Sequence, residues 1–266
     1  AFHGRTLGAL SLTHTAKYRA PFGPLLQTTW VPPENTAALA AALREQRPAA
    51  LFMEPIQGEG GLRELSADYL RAARELCDET GTILVHDEIQ TGCGRTGRFL
   101  AGQHSGVVPD LVTLAKPLAA GLPMGACLAR GELATVLQPG DHGSTFAGGP
   151  LICRAALVFL EAIDNGLLGL VEERGAELRA GLEAMVDEFD VVEQVRGRGL
   201  MLGLRLRHSA AAAQQALYGR GLIVNCTAGD VLRMLPPYIV TKEQVQQGLA
   251  TLRAVLSELE ANPEAS

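Results

Sequence analysis

The sequence predicts an α/β protein in two domains: a large one around a mainly parallel sheet, residues 1–159, and a smaller C-terminal α+β one, residues 160–266. Three observations lead there. Between Leu51 and Ala129, short apolar runs alternate with a helical stretch and Gly-rich loops, the pattern of strands and helices layered on a parallel sheet. After Pro150 the rhythm changes to long helical patterns flanking short strands. At 266 residues and 47% hydrophobic, the chain also has the apolar material for a sizeable core.

Taken in order, LFMEP (51–55) reads as a buried strand, and Ala67–Thr80 as a helix whose apolar spacing stops at Gly81. TILVHDE (82–88) is the next strand, so Asp87 stands at a strand's carboxyl end, the edge where open α/β sheets bind ligands. DLVTLAK (110–116) repeats the arrangement and delivers Lys116 to that same edge. Pro117 follows directly, which predicts an extended backbone at Lys116. Helices are then expected over Leu151–Asn165, Leu167–Phe189 and Lys242–Ala261, with strands near Val191–Val195, Leu200–Leu206, Leu222–Val224 and Val231–Met234. The Ala-rich stretch 210–216 predicts a helix start, and the tail NPEAS (262–266) is expected to fray. There is no internal repeat.

A net charge of −6 and a pI near 5.6 argue against nucleic acid or an anionic membrane as the main partner and favour small-molecule chemistry. The five cysteines, Cys77, Cys93, Cys127, Cys153 and Cys226, form no CxxC pair and leave an odd one, so neither a disulfide framework nor a metal ribbon is suggested. No metal is expected. With no basic-then-apolar leader and no apolar run of about 18 residues, a reducing cytoplasm is the expected location. The opening AFHGR, without an initiating Met, reads as the continuation of a longer chain.

Taken alone, a strand-end lysine is most simply an edge residue reaching for water, and a strand-end aspartate a cap for the next segment. Their surroundings alter that reading. HDEIQTGCGRTG (86–97) together with TLAKPLAAGLPMGA (113–126) resembles the cofactor-binding core of the class III (subgroup II) aminotransferases. The resemblance continues in family order through AFHGRTLGALSLT (1–13), KYRAPFGPL (17–25), EPIQGEGG (54–61), HGSTFAGGPL (142–151), VRGRGLMLGL (195–204) and VLRMLPPYIV (231–240). It spans essentially the whole chain, and its first motif is most similar to that of acetylornithine aminotransferases.

The resemblance implies a fold-type I transferase that uses pyridoxal 5′-phosphate (PLP). Lys116 would hold the cofactor's aldehyde and later move the substrate proton, while Asp87 would pair with the protonated ring nitrogen. Phe2 and Ile89 would cover the two faces of the ring, and Gln90 would hydrogen-bond its phenolic oxygen. Thr145 would reach across a homodimer interface to the partner subunit's cofactor phosphate, so that the two sites are shared. Arg5 would grip a substrate carboxylate through two parallel hydrogen bonds. Arg233 would be a second such anchor, neutralised by Glu59 when the amino donor lacks a side-chain carboxylate and released for glutamate or 2-oxoglutarate. Glu54 is a further strand-end candidate for substrate binding.

The implied reaction transfers an amino group from N-acetylornithine, or a similar acylated diamino acid, to 2-oxoglutarate, in arginine or lysine biosynthesis. Another class III transaminase or aminomutase, acting on an ω-amino acid, diaminobutyrate or glutamate-1-semialdehyde, is the alternative, as is a truncated silent chain. The family's N-terminal segment, which carries a phosphate-binding Gly/Ser/Thr loop, has no counterpart in these 266 residues. AKPLAAG and FAGGPL also stand where the family carries AKGLGGG-like and FGGNPL-like runs.

Overall fold

The computed structural model describes residues 1–261; the tail expected to fray, 262–266, lies outside the described residues. In chain order the elements begin with α1 (Leu7–Leu12), α2 (Ala16–Arg19), α3 (Thr36–Gln46), β1 (Ala50–Met53), β2 (Ile56–Gln57), β3 (Arg63–Glu64), α4 (Ala67–Thr80) and β4 (Ile83–Asp87). They continue with β5 (Leu111–Leu114), β6 (Ala126–Ala129), α5 (Pro150–Ala162), α6 (Leu168–Glu188), β7 (Val192–Arg198), β8 (Met201–Leu206), α7 (Ala211–Gly219), β9 (Asn225–Thr227), β10 (Val231–Met234) and α8 (Lys242–Ala261).

These elements divide into two compact units: residues 1–55, 65–93 and 100–165 in one, and residues 56–64, 94–99 and 166–266 in the other. The main division falls between Asn165 and Gly166, two short excursions of the chain also belong to the second unit, and side-chain packing explains both. Ile56 and Leu62, on the β2–β3 hairpin, bury against Met201 and Val231. In the second excursion the Arg95 guanidinium donates to the carbonyls of Pro236 at 2.6 Å and Leu200 at 3.3 Å.

In the first unit the sheet order is β1-β4-β5-β6; β1, β4 and β5 run parallel, and β6 closes the edge antiparallel. Helix α4 forms where the sequence places it. The Ser66 hydroxyl accepts from the Tyr69 amide at 3.1 Å, capping the first turn, and Gly81 ends the helix in the left-handed region at φ +71°, where a side chain would be strained. Its apolar stripe, Tyr69, Leu70, Ala73, Leu76 and Cys77, packs with Leu39 and Leu43 of α3, Met53 of β1 and Leu84 of β4. Each large side chain so buried contributes roughly 1.5–3 kcal/mol. What matters for chemistry is the register: β4 and β5 pair Val85 with Leu111, His86 with Val112 and Asp87 with Thr113, so Asp87 and the chain leading to Lys116 end on one edge.

The second unit is built on an antiparallel sheet of order β7-β8-β10-β9. Helices α6, α7 and α8 supply Leu178, Leu182, Leu217, Leu252 and Leu256 to the core that Leu202, Leu204 and Leu232 furnish from the strands.

Three expectations are corrected. The strand expected at Leu222–Val224 begins only at Asn225, opposite Arg233, because Gly221 (φ +77°) and the bond from the Leu222 amide to the Leu217 carbonyl keep that stretch in the exit turn of α7. The helix expected to reach Asn165 is regular only to Ala162; a wide turn over Ile163–Leu167 follows, with Gly166 at φ +101°. Lys116, expected to be extended ahead of Pro117, stands at φ +45°, the first residue of a tight 3-10 turn, Lys116–Ala119. That turn buries Leu118 and Ala119 and is closed by the bonds Leu118 N to Ala115 O and Ala120 N to Pro117 O, which together override the local preference. A non-glycine residue held there costs on the order of 1–3 kcal/mol, the kind of strain that collects at functional positions.

Candidate active site

In the first unit the site is organised by Asp87, the last residue of β4 and only 6% exposed. Its carboxylate is fully oriented. Oδ2 lies 2.8 Å from Nδ1 of His3, and Oδ1 accepts from the Ile89 amide at 3.1 Å and from the Thr113 hydroxyl at 3.3 Å. His3 is fixed in turn by its own amide, which donates to Thr13 Oγ1 at 3.0 Å, and by an edge-on contact of its ring with Phe52.

The neighbouring candidates fall around this carboxylate through the same N-terminal stretch. Phe2 is held by its backbone amide, which donates to Oε1 of buried Glu54 at 3.0 Å. Glu54 therefore anchors the segment that carries Phe2 and His3. The Arg5 guanidinium stacks over the Tyr18 ring, 3.7 Å from its centroid, with Phe2 at 5.6 Å, so two aromatic faces orient an exposed cation. Ile89 and Gln90 are half-buried in the turn that leaves β4. Lys116 arrives from the adjacent parallel strand, three residues beyond the partner of Asp87. Thr145 sits in an exposed turn before α5 and, among the described residues, is not brought into hydrogen-bond contact with the other candidates.

Sequence reasoning missed three contributors. His3 follows Phe2 in the opening motif, and the need of a buried carboxylate for donors was the only signal that could have pointed to it. Tyr18 lies in the KYR motif, with nothing in its spacing to link it to Arg5. Glu88, 1% exposed, accepts from the amides of Ala101 at 2.6 Å and Gly102 at 2.8 Å and from Thr91 at 3.2 Å, tying the loop after β4 to the segment 100 residues into the chain. Burial holds the Glu88 carboxyl above the usual range, and the two amides pull the other way.

In the second unit, Arg233 on β10 is 8% exposed and donates from Nη1 to Oε1 of Glu59, 2.8 Å away, in the loop between β2 and β3. The Glu59 side chain is 44% exposed, so the pair joins one buried cation to one half-exposed anion.

The donor set of the first unit fits PLP. A buried carboxylate has about four lone-pair sites, and Asp87 retains capacity for a ring N–H beyond the bonds described. Lys116 leaves the neighbouring strand at the same edge, and Phe2 adjoins His3 in the chain, the residue types that the cofactor's aldehyde and ring require.

Comparison with known proteins identifies the family of the chain. The family model "Aminotransferase class-III" matches residues 1–256. The chain is 43% identical over 263 residues to an acetylornithine aminotransferase of Caldanaerobacter subterraneus subsp. tengcongensis, a match covering 97% of this chain and 66% of that one. It is 46% identical over 266 residues to the acetylornithine aminotransferase of Mycobacterium tuberculosis, covering 99% and 66%. Among solved structures, the ornithine aminotransferase of Toxoplasma gondii, whose active site is partly occupied by PLP, superposes with a TM-score of 0.91 at 35% identity over 98% of this chain and 63% of that one. The N-acetylornithine aminotransferase of Stenotrophomonas maltophilia does so with a TM-score of 0.79 at 37% identity, over 88% and 63%. The chain thus spans somewhat less than two thirds of the length of the relatives it matches. Over that length, its parallel sheet with a strand-end carboxylate and lysine and its motifs in unbroken order make it a member of the class III aminotransferases, with the fold-type I architecture.

Proposed function

We propose that this chain forms the greater part of a PLP-dependent transaminase that moves an amino group from N-acetylornithine, or a similar acylated diamino acid, to 2-oxoglutarate. The observation that carries the reading is the strand-end constellation: Asp87 held by His3, Ile89 and Thr113, with Lys116 leaving the neighbouring parallel strand. The names of the relatives, acetylornithine aminotransferases at 43% and 46% identity, support the choice of donor.

When bound, PLP supplies the electron sink for deprotonation at the substrate's α-position. The residues divide the remaining work. Asp87 would keep the proton on the ring nitrogen, its carboxylate oriented by His3. Lys116 is the residue that would hold the cofactor's aldehyde, and its amino group would move the substrate proton as general base and acid. Phe2 and Ile89 would cover the ring faces and exclude water, and Gln90 would donate to the phenolic oxygen. Arg5, presented on Tyr18, grips a substrate carboxylate with its planar fork.

Arg233 anchors the second carboxylate of glutamate or 2-oxoglutarate. With a donor that lacks that carboxylate, Glu59 neutralises the buried guanidinium instead, so one enzyme accommodates two differently charged substrates in sequence. In this reading Thr145 serves the phosphate bound by the partner subunit of a homodimer. Its neighbours Phe146, 88% exposed, and Leu151, 76% exposed, are apolar surface of the kind a second subunit covers. The small-molecule substrates and biosynthetic role make the cytoplasm the proposed location, and no helix among the described residues is long and apolar enough to cross a membrane.

A second reading, transfer from free ornithine, is favoured by the TM-score of 0.91 to an ornithine aminotransferase. Steady-state rates with N-acetylornithine and ornithine, each with 2-oxoglutarate, separate the two. For the site itself, borohydride reduction in the presence of PLP followed by peptide mass spectrometry should label Lys116. Labelling at Lys17 or Lys242 would overturn the assignment.

A further inference from the structure

The second unit contains a cavity with no part in the reaction above. It lies beside the edge strand β7, has a volume of about 380 Å³, and is lined by Arg63, Glu64, Arg179, Gln194 and Arg196 over an apolar floor that includes Leu62.

The charges around it do not balance. Glu64 is bonded to Arg198, Glu183 to Arg179 at 3.1 Å, and both Glu193 and Asp230 to Arg205, each at 2.8 Å. These four carboxylates therefore each have an arginine partner already. Among the described residues, Arg63 and Arg196 face it with no carboxylate in ion-pair range. Arg179 also spends one arm of its guanidinium on the Gly197 carbonyl.

Arg196 is the more informative of the two. It is half-buried, and its donors meet only neutral acceptors: Nη1 donates to the Gly61 carbonyl at 3.1 Å, and Nη2 and Nε reach the Gln194 amide oxygen, in the amide orientation that satisfies both groups, at 2.9 Å and 3.3 Å. Burial pushes its pKa down, and the neighbouring cations Arg205 and Arg63 push the same way, while the carboxylates of Asp230 and Glu193 oppose them without reversing the direction. A guanidinium withdrawn from water beside a second unpaired one is held at an electrostatic cost that an anion relieves.

We propose that this cavity is a binding site for a small organic dianion, a dicarboxylate or a phosphomonoester, gripped by the guanidinium forks of Arg63 and Arg196. The volume exceeds what a single simple ion requires, and two forks on separate elements, β3 and β7, suit a ligand with charge at two oxygens or more. The site is independent of the transaminase reading, and its test uses no turnover.

The test is direct binding by calorimetry, with thermal unfolding alongside, at low ionic strength, using succinate, glycerol 3-phosphate and inorganic phosphate as probes and chloride at matched ionic strength as control. Saturable binding with a stabilisation that grows with the logarithm of probe concentration is expected. Comparing the three probes identifies the carboxylate or the phosphate ester as the better ligand. Arg63→Glu, at an exposed position, should leave the far-UV spectrum unchanged and weaken binding at least about tenfold, whereas Arg5→Ala should leave it intact. Arg196→Lys, which keeps the charge but loses the fork, should also weaken it. Stabilisation no greater than that from chloride, or unchanged affinity in Arg63→Glu, would overturn the proposal.

Discussion

Replacing His86 by Leu should make the protein more tolerant of acid, by an amount that the structure lets us work out. His86 is the residue before the last in β4, is 0% exposed, and among the described residues neither ring nitrogen has a hydrogen-bond partner. Burial first, and the nearby Arg74 cation second, lower its pKa from 6.5 to about 4. The imidazole is therefore neutral when folded and free to protonate when unfolded. Protons then bind the unfolded chain more tightly, so stability is complete above pH 6.5 and falls as the pH drops toward 4. A shift of roughly 2.5 units corresponds to a full penalty of about 3 kcal/mol, of which about 2 kcal/mol is already present at pH 5.

His86→Leu removes that linkage and two unsatisfied polar atoms in a side chain of similar volume. Near pH 8 the change should be neutral or stabilising by about 1 kcal/mol, since unpaired buried polar atoms cost about that much or more. At pH 5 the advantage should widen by about 2 kcal/mol. Urea unfolding of both proteins at pH 8 and pH 5 measures this difference. Parallel pH dependences in the two proteins, or a loss of stability at pH 8 of more than about 2 kcal/mol, would mean that the imidazole has a partner and that the reasoning fails.

Asp87→Ala should lower turnover by orders of magnitude while leaving the fold intact, and His3→Ala should lower turnover and PLP affinity together. Absorption titration with PLP and steady-state rates check both, and near-normal turnover in Asp87→Ala would remove it from the site. Glu59→Ala should slow the acetylornithine half-reaction more than the glutamate half, and Arg233→Ala should chiefly impair the dicarboxylate. Single-turnover kinetics of each half-reaction measure this, and equal slowing of both halves in Glu59→Ala would dismiss the switch. Glu88→Ala strips acceptors from two buried amides and a hydroxyl and should cost about 3 kcal/mol or more in urea unfolding. A loss below about 1 kcal/mol would show that the loop is held by other means.

Much of this protein was legible without coordinates, because its causes are local. The serine cap and terminal glycine of α4 lie at the ends of one apolar stripe, and the helix runs over Ala67–Thr80, residue for residue as expected. The β-branched, apolar runs before Asp87 and Lys116 became adjacent parallel strands, because buried strands in such a layer have few alternatives. The link between Glu59 and Arg233 came from the resemblance to a family and from nothing in the spacing; the fold then brought the two within 2.8 Å across a separation of 174 residues.

Other features were decided only by tertiary structure. Pro117 argues for an extended Lys116, yet burial of Leu118 and Ala119 in the following turn carries the lysine to φ +45°. A histidine after a phenylalanine has no periodicity to read, and His3 acquired its role only when folding set it beside a carboxylate 84 residues away. The segments 56–64 and 94–99 belong to the second unit because of Met201, Val231, Leu200 and Pro236, all more than a hundred residues further along. Hydrophobic spacing, caps and turn residues act within a few positions of one another, so the sequence by itself determined the elements and the strand edge that carries Asp87 and Lys116. Ion pairs and hydrogen bonds between distant residues form only once the chain is packed, so the orientation of Asp87, the neutralisation of Arg233 and the strain at Lys116 were left for the tertiary structure to decide.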